Sequence, residues 1–202
     1  MMDITYPSVS IIPNSIFNSR TYVLEVSDTS PVWLVDCGDL DKVLKQIGKR
    51  QILGLLLTHA HFDHIYGIPN LLKLFPDCTI ITNAIGLITL QSDKLNMSRY
   101  HGTPISVNPQ NVFLVHEGDH VPLYKGIDAL VYDTPGHHPS CLTFEIGDFL
   151  FTGDAYIPGE KVITNLPGGN KALATTSVDR ILSLRQGKII CPGHGEHIIH
   201  EN

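Results

Sequence analysis

The chain has 202 residues, of which 43% are apolar, and a formal net charge of −6. This length and composition predict one globular domain over residues 1–202. The negative charge disfavours a broad nucleic-acid surface, and no apolar run has the length of a membrane span. The start of the chain lacks a secretory pattern, and four scattered cysteines favour buried thiols. We therefore expect a cytoplasmic protein, with neither nucleic acid nor membrane involved.

Strands and helices are predicted along the chain from apolar runs and helical periodicity. The strands cover residues 8–12, 21–26, 32–35, 52–57, 79–82, 112–115, 130–133, 142–146, 149–151 and 189–191. The helices cover residues 40–46, 68–75, 85–91 and 176–184. Several strand runs are continuously apolar, which is typical of strands buried on both faces. Strands with interspersed helices predict a layered α/β domain.

The most informative segment follows the fourth predicted strand and reads Thr-His-Ala-His-Phe-Asp-His over residues 58–64. Imidazole and carboxylate are good ligands for zinc and similar divalent metals. A loop at the end of a buried strand can turn several such side chains toward one point, whereas a continuing strand would alternate them. A solvated His-rich turn is the alternative interpretation, although short His-rich tracts are themselves a metal signal.

Three more candidate ligands follow later predicted strands. His137 and His194 come after Pro-Gly turns, and Asp154 comes after a Thr-Gly pair. Glycine and proline end a strand and permit the sharp turn that aims the next side chain. One strand-end residue of this kind is as readily an ordinary turn residue. Four such segments in series predict that the strand ends converge on one edge of the fold.

The number of candidate ligands favours two metals over one. A tetrahedral zinc needs only four ligands, and two metals that share a carboxylate would use all seven candidates. The candidates are His59, His61, Asp63, His64, His137, Asp154 and His194.

In this order the motifs resemble the metallo-β-lactamase superfamily. The pattern of that family is an Asp after an early strand, then His-x-His-x-Asp-His, a later His, a Gly-Asp and a final Gly-His. The early aspartate matches Asp36, and the remaining motifs match the seven candidates above. The resemblance implies an α/β fold of the αββα sandwich type, in which two facing mixed β-sheets are flanked by helices.

The resemblance also implies how the ligands are divided. It implies two divalent metal ions, most simply Zn²⁺, with Fe or Mn as alternatives. The first metal would be held by His59, His61 and His137, the second by Asp63, His64 and His194, and Asp154 would bridge the two. Asp36 resembles a residue behind the ligands that orients an imidazole. A strand-end turn residue is the alternative for Asp36, since aspartate favours turns.

Within the superfamily, the chain is most similar to the compact glyoxalase II-like hydrolases. A bridging aspartate such as Asp154 is typical of that branch, and His61 stands where the flavodiiron branch carries Glu. The resemblance predicts a zinc-type metallo-hydrolase whose partner is a small-molecule substrate, in which it cleaves a thioester or ester by means of a hydroxide between the metals. Asp63 would also act in catalysis, by orienting the nucleophile or accepting its proton.

Two alternatives remain open at this point. A mononuclear iron persulfide dioxygenase has nearly the same motif, and its ligands would match His59, His137 and Asp154. A metal-binding scaffold without activity is the non-enzymatic alternative. The helical C-terminal domain that supplies glutathione contacts in full-length glyoxalase II is expected to be absent, because little sequence follows His194.

Other positions have open or neutral interpretations. Tyr66 stands where relatives often have Gly, and it would either line the substrate pocket or pack on the sheet. Residues 157–170 and 93–109 would either border the site or form surface connections. His138 departs from the Thr found in relatives after the later His. Surface exposure is expected for the histidines without a motif, which are His101, His116, His120, His197 and His200.

Overall fold

Strand pairing builds two mixed sheets in this computed structural model, which describes residues 6–195 and the backbone of residues 199–200. The first sheet contains, in spatial order, β1 (Ser8–Pro13), β2 (Arg20–Glu25), β3 (Val32–Val35), β4 (Ile52–Leu56), β5 (Thr79–Thr82) and β6 (Val112–Leu114). The second contains β12 (Ile199–His200), β11 (Ile189–Pro192), β10 (Phe149–Gly153), β9 (Leu142–Ile146), β8 (Ile127–Asp133) and β7 (His120–Tyr124).

Five helices connect the strands in the described part of the chain. They are α1 (Leu40–Ile47), α2 (Phe62–Ile65), α3 (Ile68–Leu74), α4 (Ala84–Leu90) and α5 (Lys171–Leu184), with a single 3₁₀ turn at Ser98–Tyr100. None of these helices combines the length and the apolar composition that crossing a bilayer requires.

The two sheets and the helices form layers because both faces of each sheet are buried. In β2, Tyr22 and Leu24 point into a core shared by the two sheets, while Val23 points to the opposite face. That opposite face of the first sheet packs against α1 and α3, and the outer face of the second sheet packs against α5 through Ile181. Each fully buried aliphatic side chain stabilises this arrangement by about 1.5–3 kcal/mol relative to exposure. The structure thus confirms the predicted αββα sandwich.

Several elements differ from the prediction. The two-residue strand β12 was not predicted, and β8 begins at Ile127, three residues before its predicted start. Strand β7 was not predicted, because Pro122 interrupts its alternating pattern; the strand lies at a sheet edge, where proline is tolerated. The short helix α2 was also not predicted, since it lies within the His-rich segment. Helix α5 begins five residues before its predicted start, at Lys171, because the Asn170 side chain accepts a hydrogen bond from the Leu173 N–H and caps it.

Candidate metal centre

The predicted site residues meet at the carboxyl ends of the strands. Asp36 follows β3, and the segment 58–64 follows β4. His137, Asp154 and His194 follow β8, β10 and β11. Strands β3 and β4 are parallel, as are β10 and β11, so within each pair the chain leaves at the same edge. The two sheets thereby bring all eight predicted site residues into one place.

The first trio consists of His59, His61 and His137. One potential ligand atom from each residue lies within 4.8 Å of the others. His61 Nδ1 is 2.9 Å from His137 Nε2, so the trio joins the two sheets. Burial lowers the pKa of all three imidazoles, and for His61 the neighbouring His137 and His138 rings help to lower it to about 3. All three rings are therefore neutral near pH 7, which is the form that binds metals.

The second trio consists of Asp63, His64 and His194. His194 Nε2 is 3.2 Å from Asp63 Oδ2 and 3.2 Å from His64 Nε2. Burial lowers the pKa of His194, but hydrogen bonds to the Asp154 and Asp63 carboxylates outweigh it and raise that pKa to about 9. The pKa of His64 is likewise raised, because the same two carboxylates outweigh its burial. In the absence of metal, positive charge is thus favoured in this trio.

Asp154 lies between the two trios. Its Oδ2 is 3.6 Å from His137 Nε2 and 3.3 Å from His194 Nε2, and its Oδ1 is 3.5 Å from His64 Nε2. Oδ1 is buried and accepts no hydrogen bond within the described chain. Burial raises the pKa of Asp154, but the surrounding imidazoles, His64 above all, hold it well below its usual range. The carboxylate is therefore ionised and available to both trios.

Asp36 connects the two trios from behind. Its Oδ2 accepts a hydrogen bond from His64 Nδ1 at 2.9 Å and another from Thr58 Oγ1 at 2.7 Å. Thr58 Oγ1 in turn lies 3.3 Å from His59 Nδ1. The Thr58 hydroxyl donates its proton to Asp36, so its oxygen accepts the proton of His59 Nδ1. The Nε2 atoms of His59 and His64 therefore both face the site as acceptors. Asp36 itself has a left-handed backbone with φ of 55°, a conformation held by these contacts.

Backbone carbonyls orient two more imidazoles. His137 Nδ1 donates to Ile163 O at 2.9 Å, and His194 Nδ1 donates to Phe17 O at 3.0 Å. His64 Nδ1 donates to Asp36 and His194 Nδ1 donates to Phe17, so the Nε2 atoms of His64 and His194 each carry a lone pair. These two Nε2 atoms lie 3.2 Å apart. That arrangement requires a proton or another cation between them. A donor set of imidazoles and ionised carboxylates, with the buried His59 Nε2 also unpaired, fits divalent metal ions.

Glycine makes room for the centre at two turns. A Cβ atom on Gly193 would lie 2.2 Å from Asp154 Oδ1 and 2.8 Å from His64 Cε1. Gly153 has a φ of +49°, and its Cβ would lie 2.5 Å from Thr58 Oγ1. Both positions therefore require glycine, one for space and one for conformation as well.

A cavity of about 560 Å³ opens in front of the centre. The two loops that were expected either to border the site or to form surface connections both reach this cavity. Residues 157–170 contribute Ile163 and Leu166, and residues 93–109 contribute Met97 and His101. Tyr66 does not line it. Its hydroxyl donates to Asp39 Oδ1 at 2.5 Å, and its ring packs against the core under the first sheet, as one of its two interpretations expected.

The remaining histidines behave differently from one another. His116 and His120 are exposed, as predicted. His101 is also exposed, but its ring stacks on Phe62 at 4.0 Å and lines the cavity, which no motif indicated. His138 is buried, its Nδ1 accepts from the Ser140 N–H, and its burial lowers its pKa to about 4. His197 and the side chain of His200 lie outside the described residues.

The sequence matches the metallo-beta-lactamase superfamily over residues 16–194. This match covers most of the chain. The αββα sandwich and the cluster of histidines and aspartates are also those that the resemblance to this superfamily implies. The chain therefore belongs to the metallo-β-lactamase superfamily, a superfamily of metallo-hydrolases.

Individual relatives extend this assignment. The hydroxyacylglutathione hydrolase of Shewanella halifaxensis is 30% identical over 159 residues, which are 75% of this chain and 53% of that protein. The chain thus spans about half the length of this relative. The structure of the BLEG-1 B3 metallo-beta-lactamase superimposes with a TM-score of 0.83 at 26% identity, covering 94% of this chain and 92% of that one. TTHA1623 in a di-iron-bound form gives 0.76 at 27% identity, covering 93% and 92%.

Proposed function

We propose that this protein is a binuclear metallo-hydrolase that cleaves a thioester or ester of a small molecule. The observation that carries the proposal is the pair of trios with Asp154 between them. Each trio alone supplies three ligand atoms within 4.8 Å, and the Asp154 carboxylate reaches imidazoles of both. A site for one metal would need only half of this arrangement.

The two trios would hold one divalent ion each, and zinc is the proposed metal. When bound, such a pair of cations supplies an activated water near neutral pH and stabilises the oxyanion that forms on attack at a carbonyl. TTHA1623 in its di-iron form supports the proposal of two ions and makes iron the principal competitor for zinc.

Asp63 is proposed to act on the nucleophile as well as on the metal. It lines the cavity, and Ser19 Oγ donates to its backbone carbonyl at 2.7 Å, which holds the residue in place. Burial raises the pKa of Asp63, but His64 and His194 outweigh this and lower it. Its carboxylate is therefore ionised, so that Oδ2 can orient an attacking water and accept its proton.

The thioester preference is supported by the hydroxyacylglutathione hydrolase relative, which matches three quarters of this chain. A mononuclear persulfide dioxygenase, which would use His59, His137 and Asp154, is the competing proposal, because its motif is nearly the same. Its distinctive reaction consumes oxygen, which hydrolysis does not.

The test combines metal quantification with a substrate panel. The purified protein is loaded with zinc, iron or manganese, and the bound ions per chain are counted. Each form is then assayed on thioester, lactone and persulfide substrates, with oxygen consumption recorded. Two ions and thioester hydrolysis are expected. One ion with persulfide-dependent oxygen consumption would establish the dioxygenase instead.

A matched pair of variants assigns the activity to the site. Asp154→Ala should lower kcat/KM by about 1000-fold or more, because several kcal/mol of transition-state stabilisation depend on the metal pair. Asp128→Ala removes an exposed carboxylate from β8 and should leave the rate unchanged. An Asp154→Ala enzyme with the wild-type rate would rule out the proposed mechanism.

A further inference from the structure

The cavity wall in front of the centre is aromatic on one side. Phe62 and His101 stack at 4.0 Å with an interplanar angle of 10°. Phe17 meets both rings edge-on, each at 5.6 Å. We call Phe17, Phe62 and His101 the aromatic wall. It is assembled from three segments that are distant in sequence, and Met97 extends it within the same cavity.

Phe17 is placed in an unusual way. It remains 62% exposed although it is a large apolar residue. It also has a left-handed backbone, with φ of 53° for both Phe17 and Asn18, in a turn closed by the Ser19 N–H and Ile16 O. Exposure and backbone strain both oppose this position. The backbone conformation places the Phe17 carbonyl against His194 Nδ1, but the exposed apolar side chain at the mouth of the cavity is better explained by a ligand than by the fold.

The other side of the cavity is aliphatic. Ile157, Ile163 and Leu166 from residues 157–170 line it, and Ile163 is 54% exposed. Among the described residues of the lining, Lys161 is the one lysine or arginine, and Glu160 stands next to it. Apart from the residues of the metal centre, the described lining thus offers apolar surface and one cation beside an anion. It lacks the cluster of cations that a substrate with several carboxylates would need.

We propose that the substrate carries an apolar group on its reacting carbonyl, and that this group lies between the aromatic wall and Ile163. The inference rests on the proposed function, because it assigns the acyl part of the ester or thioester to this cavity. The expected substrates carry an unbranched aliphatic or an aryl acyl group, in preference to a short hydroxylated acyl group.

The first measurement does not depend on turnover. Binding of unbranched carboxylates from acetate to octanoate to the metal-loaded protein is measured by calorimetry. Affinity should increase about two- to fourfold per methylene, as expected for apolar area leaving water. Phe17→Ala and Ile163→Ala should each flatten this dependence. The matched variants Phe113→Ala and Ile88→Ala change exposed residues outside the cavity and should preserve it.

Thioesters of the same acids on one small thiol provide the second measurement. The kcat/KM values should follow the same dependence on chain length in the wild type and lose it in Phe17→Ala, with metal content verified in each variant. Binding that is independent of chain length, or a dependence that Phe17→Ala and Ile163→Ala both leave intact, would overturn the inference. A chain-length dependence in binding without hydrolysis of any thioester or of the matching esters would instead refute the proposed function and leave the apolar site standing.

Discussion

The two trios use different chemistry within one centre. The first contains only imidazoles, all of them buried and all with lowered pKa values. The second contains the Asp63 carboxylate and two imidazoles with raised pKa values, and its His194 side chain is 20% exposed. The first trio is therefore ready to bind a cation, whereas the second must exchange protons for it. This difference predicts two metals of unequal affinity.

Removing one ligand from each trio should separate the two metals. His194→Ala should retain about one ion per chain, because the first trio is intact, and His137→Ala should disrupt the first trio instead. Each change should lower kcat/KM by more than about 100-fold, which exceeds the usual effect of an outer-shell partner. Metal counting and kinetics on the same samples check this, with the exposed His116→Ala as control. Two ions retained in His194→Ala would show that the second trio is not a separate site.

Asp36→Asn should affect the second trio more than the first. The carboxylate accepts hydrogen bonds from His64 Nδ1, Thr58 Oγ1 and the Thr58 N–H, so the amide N–H of the variant must face one of these donors. His64 contacts residue 36 directly, whereas His59 does so only through Thr58. The affinity for the second metal should fall about 10- to 100-fold, and the affinity for the first should fall less. Competition with a chelator of known affinity measures both, and Asp128→Asn is the isosteric control. Equal losses of metal affinity at the two sites would show that Asp36 supports both trios alike.

Acidification should release the second metal first. The raised pKa of His194, about 9, means that protons compete for its Nε2 throughout the range below that pH. For each proton that the metal must displace, the affinity of the second trio for its metal falls about tenfold per unit decrease in pH. The pKa of His61 is about 3, so its nitrogen meets no such competition above pH 5. Chelator titrations at pH 6, 7 and 8 should give a steep dependence for one ion and a shallow one for the other.

Chelation should lower the melting temperature in two steps. A ligand present at 100 times its Kd stabilises the native state by about 2.7 kcal/mol, and each kcal/mol shifts Tm by about 2–4 °C for a chain of this size. Loss of each ion should therefore lower Tm by about 5–10 °C, with the weaker ion lost at lower chelator concentration. Calorimetric scans over a chelator series measure this. An unchanged Tm after verified metal removal would uncouple the centre from stability.

The layered α/β domain and the convergence of its strand ends could be predicted because their signals are local, whereas the αββα sandwich was implied by the resemblance to the superfamily. Apolar runs mark the strands, and the Pro-Gly turns before His137 and His194 mark where they end. The interruption of β7 by Pro122 concealed an edge strand, since only the sheet order shows that the position is an edge. The cap that Asn170 supplies to α5 was a local signal that could have been used.

The cavity wall could not be predicted in the same way. Phe17, Phe62 and His101 become neighbours only through tertiary packing, and none of them lies in a motif that indicates a ring contact. The division of protons between the trios was also beyond the sequence, because it depends on distances between carboxylates and imidazoles from different sheets.

The turn at Phe17 makes the cavity and the second trio mutually dependent. Its side chain faces the cavity, while its carbonyl accepts the hydrogen bond from His194 Nδ1. Any occupant that shifts Phe17 therefore also shifts the acceptor that orients His194. Through this shared residue, an acyl group that shifted Phe17 would change the affinity for the second metal, and the metal would change the affinity for the acyl group by the same factor. The protein would thus sense an apolar substrate through the occupancy of one of its own metal sites.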